Sequence, residues 1–443
     1  MQASPSFTSA QKKVLLLSSL GGVLEFYDFI IYIFLAPYIE KVFFADNSTY
    51  IATLKTLAIF AMGYVLRPLG GIIFSHFGDR YGRKVVFLLT VIIMAIPSIT
   101  IGLIPSTAQI GVMAPILLLV CRMLQGIALG GEIPAAITFV SEHVPGHKRG
   151  IALSILFFGI NLGLLLGSLI TTIMTSLLTT TEMITYGWRI PFLIGGLFGI
   201  ASIFLRRYLE ETAPFQALKQ NDVQRIPFVS LIKHSYRNVL QGIMLVALGA
   251  ISVFFYLYWP QYMHQYLHHD LDKLMRINTV GALLLNFSVL AGGLLGDRFG
   301  YRNLFMATAA VLVVLTYPLF LLFNSNNMLW IFTSFMVYSL IFGMAPGAYC
   351  AIISRLFPTG VRYSGIAICY NFAYAIFGGL SPLICTIAIN KFDSVLAPAF
   401  YIMLMAGLAG LTCYLGRHTT YHTDSATMTV DYAKQDGLVV QGE

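Results

Sequence analysis

Gly78-Asp79-Arg80-Tyr81-Gly82-Arg83-Lys84 and Gly296-Asp297-Arg298-Phe299-Gly300-Tyr301-Arg302 are two copies of one pattern: glycine, acid, arginine, aromatic, glycine and a basic end. They lie 218 residues apart. A second pair keeps nearly that offset, since Pro145 and Arg149 match Pro358 and Arg362, 213 residues further on. Each copy sits in a short polar break between long apolar runs. Two independent matches at nearly one spacing mark an internal duplication, so the chain reads as two corresponding halves.

The apolar runs decide what the halves are. Of 443 residues, 57% are hydrophobic and only 10% charged, whereas soluble domains carry about 25% charge. So few charges cannot solvate the surface of a chain this long, and a lipid-facing exterior removes the need. A spanning helix takes about 20 mostly apolar residues. Twelve stretches qualify: 14–39, 50–75, 84–104, 110–140, 150–177, 188–208, 239–263, 277–296, 303–323, 328–354, 363–389 and 396–416. The one long polar stretch, 209–238, separates six from six. The expected fold is an all-α membrane protein with twelve transmembrane helices in two six-helix pseudo-symmetric bundles. The bundles cover 1–208 and 239–418, joined by a cytoplasmic linker over 209–238 and followed by a short cytoplasmic tail over 419–443. Parallel halves of this kind characterise carriers that rock around a central site.

The net charge of +8 raises the question of nucleic acid. The basic residues form short clusters between apolar runs, not a continuous basic face, so no nucleic-acid partner is expected. Lys12, Lys13, Lys148, Arg149, Arg355 and the linker cluster share one side, against Lys41, Arg189, Lys273, Arg276 and Lys391 on the other. The positive-inside rule then places both termini in the cytoplasm. The N-terminal stretch reaches its first apolar run without a small-residue cleavage site, which reads as a first spanning helix. The five cysteines lie in or beside apolar runs without CxxC spacing and read as packing residues. No phosphate-cradling loop of the Walker type is present, so ATP hydrolysis is not expected to drive the protein. No nucleophile–base signature stands out and no cofactor is expected; the protein reads as something other than an enzyme. His264, His268, His269 and Asp270 cluster outside the seventh helix and read as a solvated loop, not a metal site.

A charge inside the bilayer is costly unless paired or wetted, so embedded ionisable residues point to function. In the first helix Glu25, Asp28 and Tyr32 fall on one face. By helical rise, Arg67 of the second helix comes close to the depth of Glu25, and Arg122 of the fourth to that of Asp28. Glu25, Asp28, Arg67 and Arg122 therefore read as a proton-coupling network, with static ion pairs between helices as the alternative. The C-terminal half offers aromatic and amide groups instead: Phe255 and Tyr258 in helix seven, Asn286 in helix eight, Asn371 and Tyr374 in helix eleven. With Tyr32 and Arg122 these are the candidate solute contacts, suited to a small organic acid or a zwitterion.

Several stretches carry a family resemblance: Glu25-Phe26-Tyr27-Asp28-Phe29, Leu66-Arg67-Pro68-Leu69-Gly70-Gly71, Arg122-Met123-Leu124-Gln125-Gly126, Gly130-Gly131-Glu132 and Leu356-Phe357-Pro358-Thr359-Gly360-Val361-Arg362. Together with the two loops they resemble the major facilitator superfamily, and within it the metabolite:proton symporters that carry proline and betaine, α-ketoglutarate, citrate or shikimate. The resemblance implies alternating access, symport of a proton with a small carboxylate, amino acid or betaine, a monomeric state and a place in the bacterial inner membrane. It also implies a gating role for Asp79, Arg80, Arg83, Glu132, Asp297, Arg298 and Arg302. Two features depart from the pattern. The second loop ends Gly300-Tyr301-Arg302 where relatives often have two basic residues, and the tail lacks the heptads of osmosensing members. A proton-antiporting exporter and a non-transporting sensor are the rival readings.

Overall fold

A computed structural model describes residues 7–44, 48–81, 83–206, 227–357 and 362–416. Most of the expected linker and the C-terminal tail lie outside these residues, as do the side chains of Asp79, Arg80 and Arg83. Among the described residues the regular structure is helical throughout. In the first half α1 runs over Ser9–Phe34 and resumes as Ala36–Phe43, and α2 over Thr49–Val65 and then Arg67–Tyr81. They are followed by α3 (Arg83–Leu103), α4 (Met113–His143), α5 (Arg149–Leu177) and α6 (Arg189–Arg206). In the second half come α7 (Pro227–Leu267), α8 (Leu271–Phe299) and α9 (Tyr301–Phe323). α10 runs over Met328–Gly343 and Ala345–Leu356, α11 over Arg362–Ala373 and Ser381–Phe392, and α12 over Ala397–Leu415.

Ten of these segments are long and apolar enough to cross a membrane; a bent pair, Thr180–Gly187 with Arg189–Phe204, makes an eleventh. The 21-residue α3, apolar over Leu88–Leu103, completes the twelve. α7 begins inside the stretch expected as linker, and a non-helical Ser235 marks where its apolar part starts.

The exterior is apolar like the core, and a set of charged and amide side chains is held inside. Leu103, Val314 and Leu404 face outward, while Asp28, Arg67, Arg122, Gln125, Asn286 and Asn371 are buried. Polar groups inside a lipid-facing shell must be satisfied by one another or by a cargo.

The breaks have a local cause. Pro37, Pro68, Pro346 and Pro382 each stand two residues after an interruption, at Leu35, Leu66, Met344 and Leu380. Proline lacks the N–H that would continue the ladder, and its ring crowds the preceding turn. In α11 the break is preceded by a π-helical stretch, Tyr374–Gly379.

Glycines set the helix contacts within the first half. A Cβ added at Gly126 would come 1.9 Å from the Gly63 carbonyl oxygen, and one at Gly70 would come 1.9 Å from that of Ile127. α2 and α4 therefore touch backbone to backbone. Gly159, Gly163 and Gly167 press α5 against α1 in the same way, at Ser19, Val23 and Ile30. The two halves meet along two seams, α5 with α8 and α2 with α11.

Candidate functional site

The buried charges of the first half form a chain that sequence reasoning only half anticipated. The Ser98 hydroxyl of α3 donates to the Asp28 carboxylate of α1. Gln125 Nε2 of α4 donates to Ser98 Oγ at 2.7 Å, and Arg122 Nη1, one turn earlier, donates to Gln125 Oε1 at 2.8 Å. Arg122 Nη1 also donates to the Phe29 carbonyl at 2.9 Å. Asp28 and Arg122 are thus joined through a serine and a glutamine across three helices. Gly195 of α6 leaves room for the carboxylate, since a Cβ there would lie 2.3 Å from Asp28 Oδ1. The Arg122 guanidinium lies over the rings of Phe29 and Tyr32, at 4.4 and 4.8 Å from the ring centroids. Tyr32 is held in place by its hydroxyl donating to the Thr56 carbonyl at 3.0 Å.

Arg67 stands apart from this chain. It starts the second piece of α2, directly after the break at Leu66, and is fully buried. Three tyrosine rings surround it: Tyr64 at 5.3 Å, Tyr370 at 5.5 Å and Tyr374 at 4.9 Å from its guanidinium carbon. Tyr370 and Tyr374 belong to the other half, so this cage straddles the α2–α11 seam. Sequence depth placed Arg67 beside Glu25. The structure instead turns its side chain toward α11, and no described carboxylate pairs with it. Glu25 is buried in α1.

Between the halves lies a small enclosed space. It is lined by Phe157 and Asn161 of α5, Ser252 and Tyr256 of α7, Tyr349 of α10 and Tyr374 of α11. Toward the loop end it is closed by Asn371 Nδ2, which donates to the Gly130 carbonyl at 2.6 Å, and by the Tyr363 hydroxyl donating to the Gly131 carbonyl at 3.0 Å. Beyond these, the Asp297 carboxylate accepts from the backbone N–H groups of Gly150 and Ile151 at 3.1 and 3.0 Å. A carboxylate of one half thereby caps the first turn of α5 in the other, where the helix dipole favours negative charge. Arg355 donates to the Gly146 carbonyl at 3.1 Å and Arg362 faces Glu142 at 3.7 Å, both again across the halves. At the opposite end Thr279 bonds Ser168 at 2.7 Å and Thr172 at 3.0 Å, and Ser176 donates to Asp272 at 3.0 Å. The space is closed from both ends.

Two six-helix halves enclosing a central space, with clamps at the duplicated loop, define a carrier architecture, and comparison with known proteins agrees. The pattern of the Major Facilitator Superfamily matches residues 18–382. The chain belongs to this superfamily. The proline/betaine transporters of Salmonella typhimurium and Escherichia coli are each 34% identical to it over 412 residues, covering 90% of this chain and 82% of theirs. A glycine betaine/proline/ectoine/pipecolic acid transporter of Dickeya dadantii is 33% identical with the same coverage. The chain is a multi-pass membrane transporter. Among solved structures, the xylose transporter of Escherichia coli in a partially occluded inward-open conformation superposes with a TM-score of 0.75 at 17% identity, over 94% of this chain and all of that one. That similarity concerns the fold.

Against this architecture several expected site residues move. Phe255 was expected to face the solute, but its ring packs inside the second half against Phe335 and Tyr338 of α10, at 5.5 and 4.5 Å between centroids. Its neighbour Tyr256 lines the central space instead, because one residue rotates a helix face by about 100°. Tyr258 bonds Thr386 of α11 at 2.9 Å and stacks on Phe254, so it also packs within its own half. Asn286 Nδ2 donates to the Ala282 carbonyl of its own helix at 2.9 Å and reaches the Asn161 carbonyl at 3.4 Å. It belongs to the α5–α8 seam, as Asn371 belongs to the α2–α11 seam.

The residues expected to gate divide. Asp297 spans the halves. Arg298 is exposed over its neighbour Phe299, and Arg302 donates to the Gly416 carbonyl at the end of α12, so neither described contact crosses the seam. Glu132 is buried beside the glycine contacts of α4. Ser98, Gln125, Asn161, Tyr256 and Tyr349 were not singled out as site residues. Gln125 carried a signal, three residues after Arg122 on the same helical face. Ser98 carried none, being one hydroxyl in an apolar run.

Proposed function

We propose that this transporter imports a small carboxylate or zwitterion, of the proline and betaine class, together with a proton. The Asp28–Ser98–Gln125–Arg122 chain carries this reading. A carboxylate reached only through a serine and a glutamine can exchange a proton without breaking a direct ion pair, and its charge state is passed to Arg122 beside the solute path. Protonation of Asp28 leaves Arg122 less compensated and favours closure around an anionic group. The 34% identity to proline/betaine transporters supports the solute class. The reading places the duplicated loops and both termini in the cytoplasm of a bacterial inner membrane, with the protein acting as a monomer and needing no cofactor. The clamps formed by Asp297, Arg355 and Arg362 then close the cytoplasmic route, and Glu132, Asp79, Arg80 and Arg83 act at the same end.

The driving force is adequate. A proton moving down 100 mV contributes about 2.3 kcal/mol, which supports accumulation of roughly tens-fold for a solute crossing neutral. The test is uptake of labelled proline and betaine into proteoliposomes under an imposed pH gradient. Accumulation driven by external acid and abolished by a protonophore is the expected result. Uptake indifferent to both rejects symport, and accumulation under the reversed gradient indicates the antiport alternative.

A further inference from the structure

We propose that Arg67 is the anion anchor of the solute site, binding the solute's carboxylate when the α2–α11 seam opens. The inference rests on the proposed transport of carboxylate solutes and names the group that recognises them.

Arg67 is fully buried, and its Nε, Nη1 and Nη2 all lack a hydrogen-bond acceptor among the described residues. Arg122, equally buried, donates twice from Nη1. The rings of Tyr64, Tyr370 and Tyr374 attract the charge of Arg67 but offer no acceptor to its five donors. A guanidinium in this condition lacks a planar anion, and a carboxylate fits its donor fork bidentately. The surrounding groups point the same way. The Tyr64 hydroxyl, on the α2 side of the seam, is buried without a hydrogen-bond partner and can donate to the same carboxylate. Tyr374 belongs both to the cage around Arg67 and to that wall, so Arg67 lies one ring away from the space between the halves. In the opened seam a zwitterion places its carboxylate on Arg67 and its cationic end against the tyrosine faces.

The backbone on both sides can move. Arg67 follows the proline break of α2, and Tyr374 opens the π-helical stretch of α11. Such interruptions release ladder hydrogen bonds and let a helix bend. An unfilled Arg67 makes reclosure of the seam costly, and a bound carboxylate removes that cost. The anchor therefore also favours loaded over empty crossing.

The test uses the purified full-length protein and two ligand pairs: proline with prolinamide, and betaine with choline, each pair differing in the carboxylate. Affinities are read by calorimetry and folding by thermal unfolding. The wild type is expected to bind each carboxylate at least tenfold more tightly than its partner. Arg67→Gln is expected to erase that preference while binding prolinamide and choline as before, with no drop in melting temperature. Arg67→Lys, which keeps the charge and loses the fork, is expected to retain part of the preference. A glutamine variant with the wild-type preference overturns the assignment and leaves the transport reading standing. A wild type that binds none of the four overturns both. Should the glutamine variant fail to fold, the lysine variant decides, and an undiminished preference there overturns the assignment.

Discussion

The two seams between the halves are counterparts under the internal duplication, since α2 corresponds to α8 and α5 to α11, yet they are built from different chemistry. The α5–α8 seam is hydrogen-bonded from end to end: Asp297 on the first turn of α5, Asn286 near its middle, then Thr279 and Asp272 on the serines and threonines of α5. The α2–α11 seam is aromatic around a guanidinium without an acceptor, and the described hydrogen bonds of α11 there are those of Asn371 and Tyr363 to the Gly130 and Gly131 carbonyls of α4. A seam tied by hydrogen bonds along its length holds one geometry. A seam with unmet donors changes its energy when a charged guest arrives. Duplication supplied the framework, and divergence made one seam a clamp and the other a sensor of cargo.

Four substitutions would break or sharpen this contrast. The largest effect is expected from Gly293→Ala, because the added Cβ would lie 2.4 Å from Ser154 Oγ and 3.0 Å from the Gly150 carbonyl oxygen. Overpacking of this kind costs about 1–3 kcal/mol, to be read as a lower melting temperature and reduced uptake. Gly71→Ala on the opposite seam meets chiefly the Asn371 amide, 2.5 Å away, which can swing aside. An equal loss at both positions would erase the distinction. Next comes Asp297→Asn, which removes a charge-assisted cap spanning the halves. A loss of about 1 kcal/mol is expected. Its readout is faster alkylation of a cysteine placed at Ser154, which is buried behind that clamp; unchanged protection would mean the clamp holds nothing closed. Smallest is Thr279→Val, which deletes the bonds to Ser168 and Thr172 and should cost about 1 kcal/mol or less by thermal unfolding. A loss well above that would show that the opposite end, not the loop end, keeps this seam shut.

The architecture was legible in the sequence because hydropathy and repeat spacing are properties of whole segments. Twelve apolar runs and two matched loops survive errors of a few residues at any boundary. The site was legible only in part, because it depends on which way single side chains turn. Asp28 and Arg122 were found as charges out of place in lipid. Their link through Ser98 was hidden because a serine in an apolar run is unremarked until a carboxylate is seen beside it. Arg67 was assigned by depth alone, and depth says nothing about rotation, so its turn toward Tyr370 and Tyr374 came only with the fold. Phe255 failed for a similar reason: six aromatic residues crowd helix seven, and composition could not separate the face lining the cavity from the face packing on α10.

In the proposed mechanism, solute movement and proton movement are joined at Asp28. Asp28→Asn keeps the shape and an acceptor for Ser98 while removing the charge. Proteoliposomes bearing this variant should exchange labelled for unlabelled proline or betaine across the membrane, yet fail to accumulate either under an imposed pH gradient. Gradient-driven accumulation at the wild-type level in the variant would contradict the account.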